Sequence, residues 1–172
     1  MSRFAFTGVL AALMVSTASH LALASDADVI REYRDRGEIE ALMWRYTHAL
    51  DTLNEDAYAA VYTPDGSFGT GERASVGTEA LKKIITDVKK RRAEQEAKGE
   101  KPDKMYHVIT NEHLEFVDKD HARLHSYWMT VFQPVKQGDP VRVAAAGRGV
   151  DELVRVKGHW LIKHRDVQPK DD

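Results

Sequence analysis

The chain has 172 residues, no cysteine, 42% apolar and 30% charged residues, and a formal net charge of −2. That length suits one domain and is short for two. A charge so near zero excludes a protein that coats nucleic acid, which carries a large basic surplus, and the missing cysteines remove disulfides, thiolate zinc sites and a cysteine nucleophile together.

The first segment reads as an export address. Met1, Ser2 and Arg3 form a short positive start, Phe4 to Val15 are almost wholly apolar, and Ala22-Leu23-Ala24 is a small-x-small cleavage site. The apolar run, about a dozen residues, falls short of the roughly 20 that a membrane-crossing helix needs. Residues 1–24 are therefore expected to be a signal peptide and 25–172 the exported domain, periplasmic in a Gram-negative host and without a membrane contact after cleavage.

From Ile39 the apolar residues recur at Leu42, Met43, Tyr46 and Leu50, the stripe of a helix with one buried face. Gly37 is expected to separate it from a weaker helix seeded by Ser25 or Asp26. Asn54 can cap a short helix carrying Ala57, Tyr58, Val61 and Tyr62. Pro64-Asp65-Gly66 predicts a turn. Thr78 is the expected cap of a third helix with Leu81, Ile84, Ile85 and Val88 buried. Lys89 to Lys104 is scarcely apolar and predicts a solvated helix extension or a loop, and Glu94, Glu96, Glu100 and Asp103 dilute its cations too far for nucleic-acid binding.

After Met105 the period changes. Residues 105–117, 121–134, 141–157 and 159–168 are rich in β-branched and aromatic side chains and are separated by polar or glycine turns. Helices grouped first and strands after them predict an α+β fold, with N-terminal helices packed on a curved, mainly antiparallel sheet. A ligand pocket is expected between the two layers.

The segment IEALMWRYTHALDTLNEDAYAAVYTPDGSF (39–68), then His107 with Asn111, Ala122 with Ser126 and Tyr127, and finally Asp151 through Trp160 to Arg165 follow one another in a familiar order and spacing. The chain resembles the SnoaL-like branch of the NTF2-like superfamily over nearly all of residues 25–172. The resemblance implies the cone-shaped α+β fold, an α+β barrel. It also implies an apolar pocket, no cofactor, a hydrophobic and ring-bearing small-molecule substrate, and assembly into a dimer or trimer. Relatives include scytalone dehydratase, bile-acid dehydratase, ketosteroid isomerase and polyketide cyclases, together with modules that bind without catalysis.

Tyr46, Asp51 and His107 match the positions of the acid–base residues of the dehydratase relatives. The chemistry is sound in itself. Desolvation in an apolar cavity brings a carboxylate into proton-transfer range, a histidine titrates near neutrality, and a phenol donates to an oxygen gaining charge. Tyr46 and Asp51 stand about 140° apart on an ideal helix, so they converge only where the helix ends or bends. Asn111, on the expected face of His107, and Leu124, Ser126, Trp128 and Thr130, on one face of a strand, are the expected substrate-binding set, with Arg148 as a cation. His48, His113, His159 and His164 are expected at the surface. His121 and His125 stand roughly 13 Å apart along their strand, too far to share a metal, and no metal site is expected. No acid occupies the Trp128–Thr130 region, where the bile-acid enzyme places a second aspartate. The expected function is a cofactor-independent lyase, dehydratase or isomerase. Its alternative is a non-catalytic exported binding or dimerisation module.

Overall fold

The computed structural model describes residues 25–136 and 138–169; the expected signal peptide lies outside them. Helix α1 spans Asp26–Asp51 without interruption. Ser25 caps it reciprocally, accepting from the Asp28 N–H while the Asp28 carboxylate accepts from the Ser25 N–H. The expected break at Gly37 does not occur. A mid-helix glycine costs about 1 kcal/mol, and tertiary contacts bridge it. The buried row begins upstream at Asp35, whose Oδ2 lies 2.5 Å from Arg155 Nη2, and continues through Ile39, Leu42, Met43 and Tyr46.

Asn54 caps α2 (Glu55–Ala60) as expected, its Oδ1 accepting from the Ala57 N–H at 3.0 Å. Val61 and Tyr62 leave that helix. Tyr62 opens strand β1 (Tyr62–Phe68), and the expected turn at Pro64-Asp65-Gly66 lies inside this strand as an irregularity rather than a reversal. The physical reason is pairing: β1 runs parallel to the last strand, and the extra residues are expelled between the paired positions Tyr62 and Ser67. A 3₁₀ turn (Gly71–Arg73) and the two-residue strand β2 (Ser75–Val76) follow. Helix α3 spans Thr78–Ala97, with Gly77 at φ +82° in the cap position expected of Thr78. The segment beyond Val88 is thus a solvated helix extension as far as Ala97 and a loop from there to β3, and the helix is anchored by buried Leu81 and Ile85.

Strands β3 (Lys104–Phe116), β4 (His121–Gln133), β5 (Arg142–Val156) and β6 (His159–Asp166) form the expected antiparallel meander. The sheet order is β2-β1-β6-β5-β4-β3. It is mixed, because β1 and β6 are parallel, and open rather than closed into a barrel. Ala122, Leu124 and Ser126 of β4 are buried while Arg123 and Tyr127 are exposed, so one face of the sheet turns to the helices and the other to solvent.

Gly66 stands where β1 and β6 leave no room for a side chain. An added Cβ would meet Thr63 O at 2.9 Å, Tyr62 Cβ at 3.0 Å and Ile162 O at 3.1 Å. Gly66→Ala should destabilise the protein by about 1–3 kcal/mol. Gly37→Ala, which meets nothing within 4 Å, should stabilise it by up to about 1 kcal/mol. Urea unfolding with an unchanged m-value checks both.

Candidate active site

The candidate site begins at the end of α1. Asp51 is the last residue of the helix, and Leu53, at φ +53°, turns the chain away. Ending there, the helix presents a carboxylate to β3. Asp51 Oδ1 accepts from the His107 backbone N–H at 3.0 Å and lies 2.8 Å from His107 Nδ1. The two side chains are 22% and 20% exposed, enough burial to hold the contact and enough access for a ligand. With Nδ1 engaged, Nε2 is the ring nitrogen left for chemistry.

His107 lines an apolar pocket of about 290 Å³ between the helices and the sheet. Tyr46 and Leu50 of α1, Tyr58 of α2, Ile84 and Val88 of α3, and Trp128 and Thr130 of β4 form much of its wall. The expected residues Tyr46, His107, Trp128 and Thr130 therefore come together here. Asp51 joins them through its contact with His107 and does not itself line the cavity.

The remaining expected residues stand elsewhere. Asn111 is exposed with φ +52° at a register break between Thr110 and His113, which takes it off the His107 face. Leu124 is part of the packed core. Ser126 is buried, its Oγ without a hydrogen-bond partner among the described residues, and it too lies outside the pocket lining. Arg148 is exposed and pairs across the sheet with Tyr127, on the face away from the helices, and its carbonyl accepts from Trp128 Nε1 at 3.0 Å. His164 is half-buried rather than at the surface, its Nδ1 2.8 Å from Ser67 Oγ.

Trp128 is held rigidly. Its Nε1 donates also to Val167 O at 3.1 Å, and its ring rests on Gly147, where an added Cβ would meet indole atoms at 2.9–3.1 Å. The indole forms a flat wall that only glycine underneath permits.

The inner end of the pocket is ionic, which the sequence pattern did not disclose. Arg165 is 2% exposed, lines the pocket, and has its guanidinium carbon 4.5 Å from the centroid of the Tyr46 ring. Its Nη1 donates to the Asp151 carboxylate, which is fully buried. Burial pushes the Asp151 carboxyl above its ordinary range, against the pull of Arg165. Burial likewise opposes the Arg165 charge, but the Asp151 carboxylate beside it outweighs burial and holds the guanidinium ionised. Tyr46, Tyr58 and Tyr62 pack together, with the Tyr58 and Tyr62 hydroxyls 3.2 Å apart. Burial raises all three phenols above their ordinary value, so each stays a neutral hydrogen-bond donor. Tyr62 was hidden in the expected helical stripe, and the two-residue alternation that pairs Asp151 with Arg165 across β5 and β6 was the available signal.

Residues 31–166 match the SnoaL-like domain family. Among solved structures, the chain is similar to an NTF2-like protein with a cystatin-like fold from Novosphingobium aromaticivorans, at 20% identity over 84% of this chain and 88% of that one, with a TM-score of 0.68. It is similar to a candidate scytalone dehydratase from the same organism, at 20% identity over 84% and 98% of the two chains, with a TM-score of 0.65. A protein of unknown function from Mycobacterium tuberculosis is similar at 23% identity over 81% and 74%, with a TM-score of 0.67. At these identities the likeness shows the fold. No curated protein matches the chain.

The seating of Trp128 gives a direct check. Gly147→Ala should destabilise the fold by about 1–3 kcal/mol by overpacking and should accelerate hydrogen exchange of the Trp128 indole N–H, read by NMR. Adding Trp128→Leu, which removes the ring, should recover most of the lost stability in the same denaturation experiment.

Proposed function

The chain belongs to the SnoaL-like family, and on that premise we propose that it is a cofactor-independent acid–base enzyme, a dehydratase, lyase or isomerase acting on a compact ring-bearing small molecule. The observation that carries this reading is the Asp51–His107 contact, 2.8 Å from Oδ1 to Nδ1, set against an apolar pocket of about 290 Å³. Pockets for small ligands begin at roughly 300 Å³, so the volume favours one or two rings over a four-ring steroid.

In the proposed reaction the ring lies against Trp128 and its oxygen substituent points to the inner end of the pocket. His107 Nε2 takes a proton from the carbon beside a ring ketone. The electron pair moves towards the substituent oxygen, and the neutral Tyr46 hydroxyl donates a hydrogen bond to it as its charge grows. Collapse expels a neighbouring hydroxyl, which takes the proton back from His107 and leaves as water; returning the proton to another carbon gives isomerisation instead. Asp51 is the positioning residue, fixing the imidazole tautomer and steadying its charge while it carries the proton.

The same proposal includes export by way of residues 1–24 and self-association. The solvent face of β3, β4 and β5 exposes Tyr106, Val108, Tyr127 and Val143, an apolar surface suited to a second copy.

Hydroxylated one- and two-ring ketones, scored by mass for loss of water or by chromatography for an isomer, test the chemistry. His107→Ala should lower kcat by about 100-fold or more and Asp51→Asn by about 10- to 100-fold. Rates that stay at the level of the unaltered protein would reject these roles, and retained ring binding without turnover in the unaltered protein would favour the binding module. For assembly, sedimentation should give a dimer or trimer, and Tyr127→Lys should shift it to monomer.

A further inference from the structure

A second cavity, of about 490 Å³, abuts the ring pocket, and Val88 and Met105 line both. It lies along the C-terminal half of α3, between that helix and the ends of β3, β4 and β5. Its chemistry is opposite to that of its neighbour. Arg91, Arg92, Lys98 and Arg142 line it, against the two carboxylates of Glu94 and Asp103. The segment 89–104 carries seven cations and four carboxylates. Three of those cations and two of the carboxylates line the cleft, and Arg142 adds a fourth cation from β5, which leaves it a positive surplus.

The cations are partly placed in advance. Arg92 Nη2 donates to the Asp103 carbonyl at 3.1 Å, which ties it to the loop that closes the cleft. The Arg142 guanidinium lies over the Phe132 ring, 4.9 Å from its centroid. A stacked guanidinium keeps its in-plane N–H groups for an acceptor and matches the oxygens of a carboxylate or phosphate. Met105, unbranched and adaptable, is a wall across which a linker can pass.

We infer that the two cavities form one bipartite site, whose ligand joins a compact ring at His107 to an anionic group, a carboxylate or phosphate-type oxyanion, held by Arg91, Arg92 and Arg142. This rests on the ring-pocket reading above and adds the class of substituent the substrate carries. An apolar pocket alone would favour a neutral ligand over a charged one. The adjoining cleft makes the anionic form the better fit and draws it in at low ionic strength.

Isothermal titration with 2-naphthol and 2-naphthyl phosphate tests the inference. The phosphate should bind about tenfold more tightly, the sum of a few exposed charge pairs, and the advantage should shrink as salt is added. In an Arg91→Gln/Arg142→Gln protein the two probes should bind alike, with the affinity for 2-naphthol unchanged. Equal affinities in the unaltered protein, an advantage that survives in the double variant, or binding of neither probe would each overturn the bipartite site. The advantage of the phosphate should persist in His107→Ala. An unsound acid–base mechanism and an unsound anion cleft therefore give different results.

Discussion

The constraint on which the rest of this structure depends is the buried ion pair of Asp151 and Arg165. Both side chains are withdrawn from water, each is tolerable only because the other is present, and removing either partner of such a pair costs about 3–5 kcal/mol. Their bond joins β5 to β6 and fixes the register of the sheet at its centre. The guanidinium lies over the Tyr46 ring, so the first helix is seated on the same point. Placing a cation there also keeps the inner end of the pocket from closing as an ordinary apolar core, and it surrounds three neutral phenols with a fixed field.

From that seat the geometry of the proposed acid–base pair follows. Helix α1 is pinned near its start by Asp35 and Arg155, whose guanidinium lies over Trp160, and in its last third by Tyr46 on Arg165. The helix then stops at Asp51, and its terminal carboxylate meets β3 at His107. A helix one turn longer would carry the carboxylate past the strand. The two hydrogen bonds that Asp51 makes with one residue, to its backbone and to its ring, fix both the strand and the imidazole. In the proposed reaction that makes Asp51 a positioning residue and leaves the proton transfer to the histidine.

The pocket owes its shape to positions where side chains are missing as much as to those that line it. Gly147 lets the Trp128 indole lie flat, and two carbonyls then fix its edge. Gly66 lets β1 come close to β6, bringing Phe68 to the wall. The solvated end of α3 overhangs the open side of this hollow, where apolar chemistry gives way to guanidinium groups. Family membership accounts for the scaffold; the small apolar hollow and the basic cleft beside it are built from these side chains.

The elements whose formation is local were legible in the amino-acid order. The amphipathic stripe of α1, the Asn54 cap, the buried anchors of α3 and the four long strands all follow from periodicity and turn chemistry, and the motif order carried the family resemblance. So did the three residues Tyr46, Asp51 and His107. What escaped the sequence depends on partners distant along the chain. The continuity of α1 through Gly37 rests on Asp35 reaching Arg155, and β1 replaces a turn because β6 lies beside it. Asn111 leaves the His107 face because the β3–β4 register slips. The contact of Asp51 with His107 was decided by where the helix end meets β3, and the polar floor by Asp151 and Arg165 facing each other across two strands. Periodicity reports which face a side chain takes; only long-range packing decides what stands opposite it.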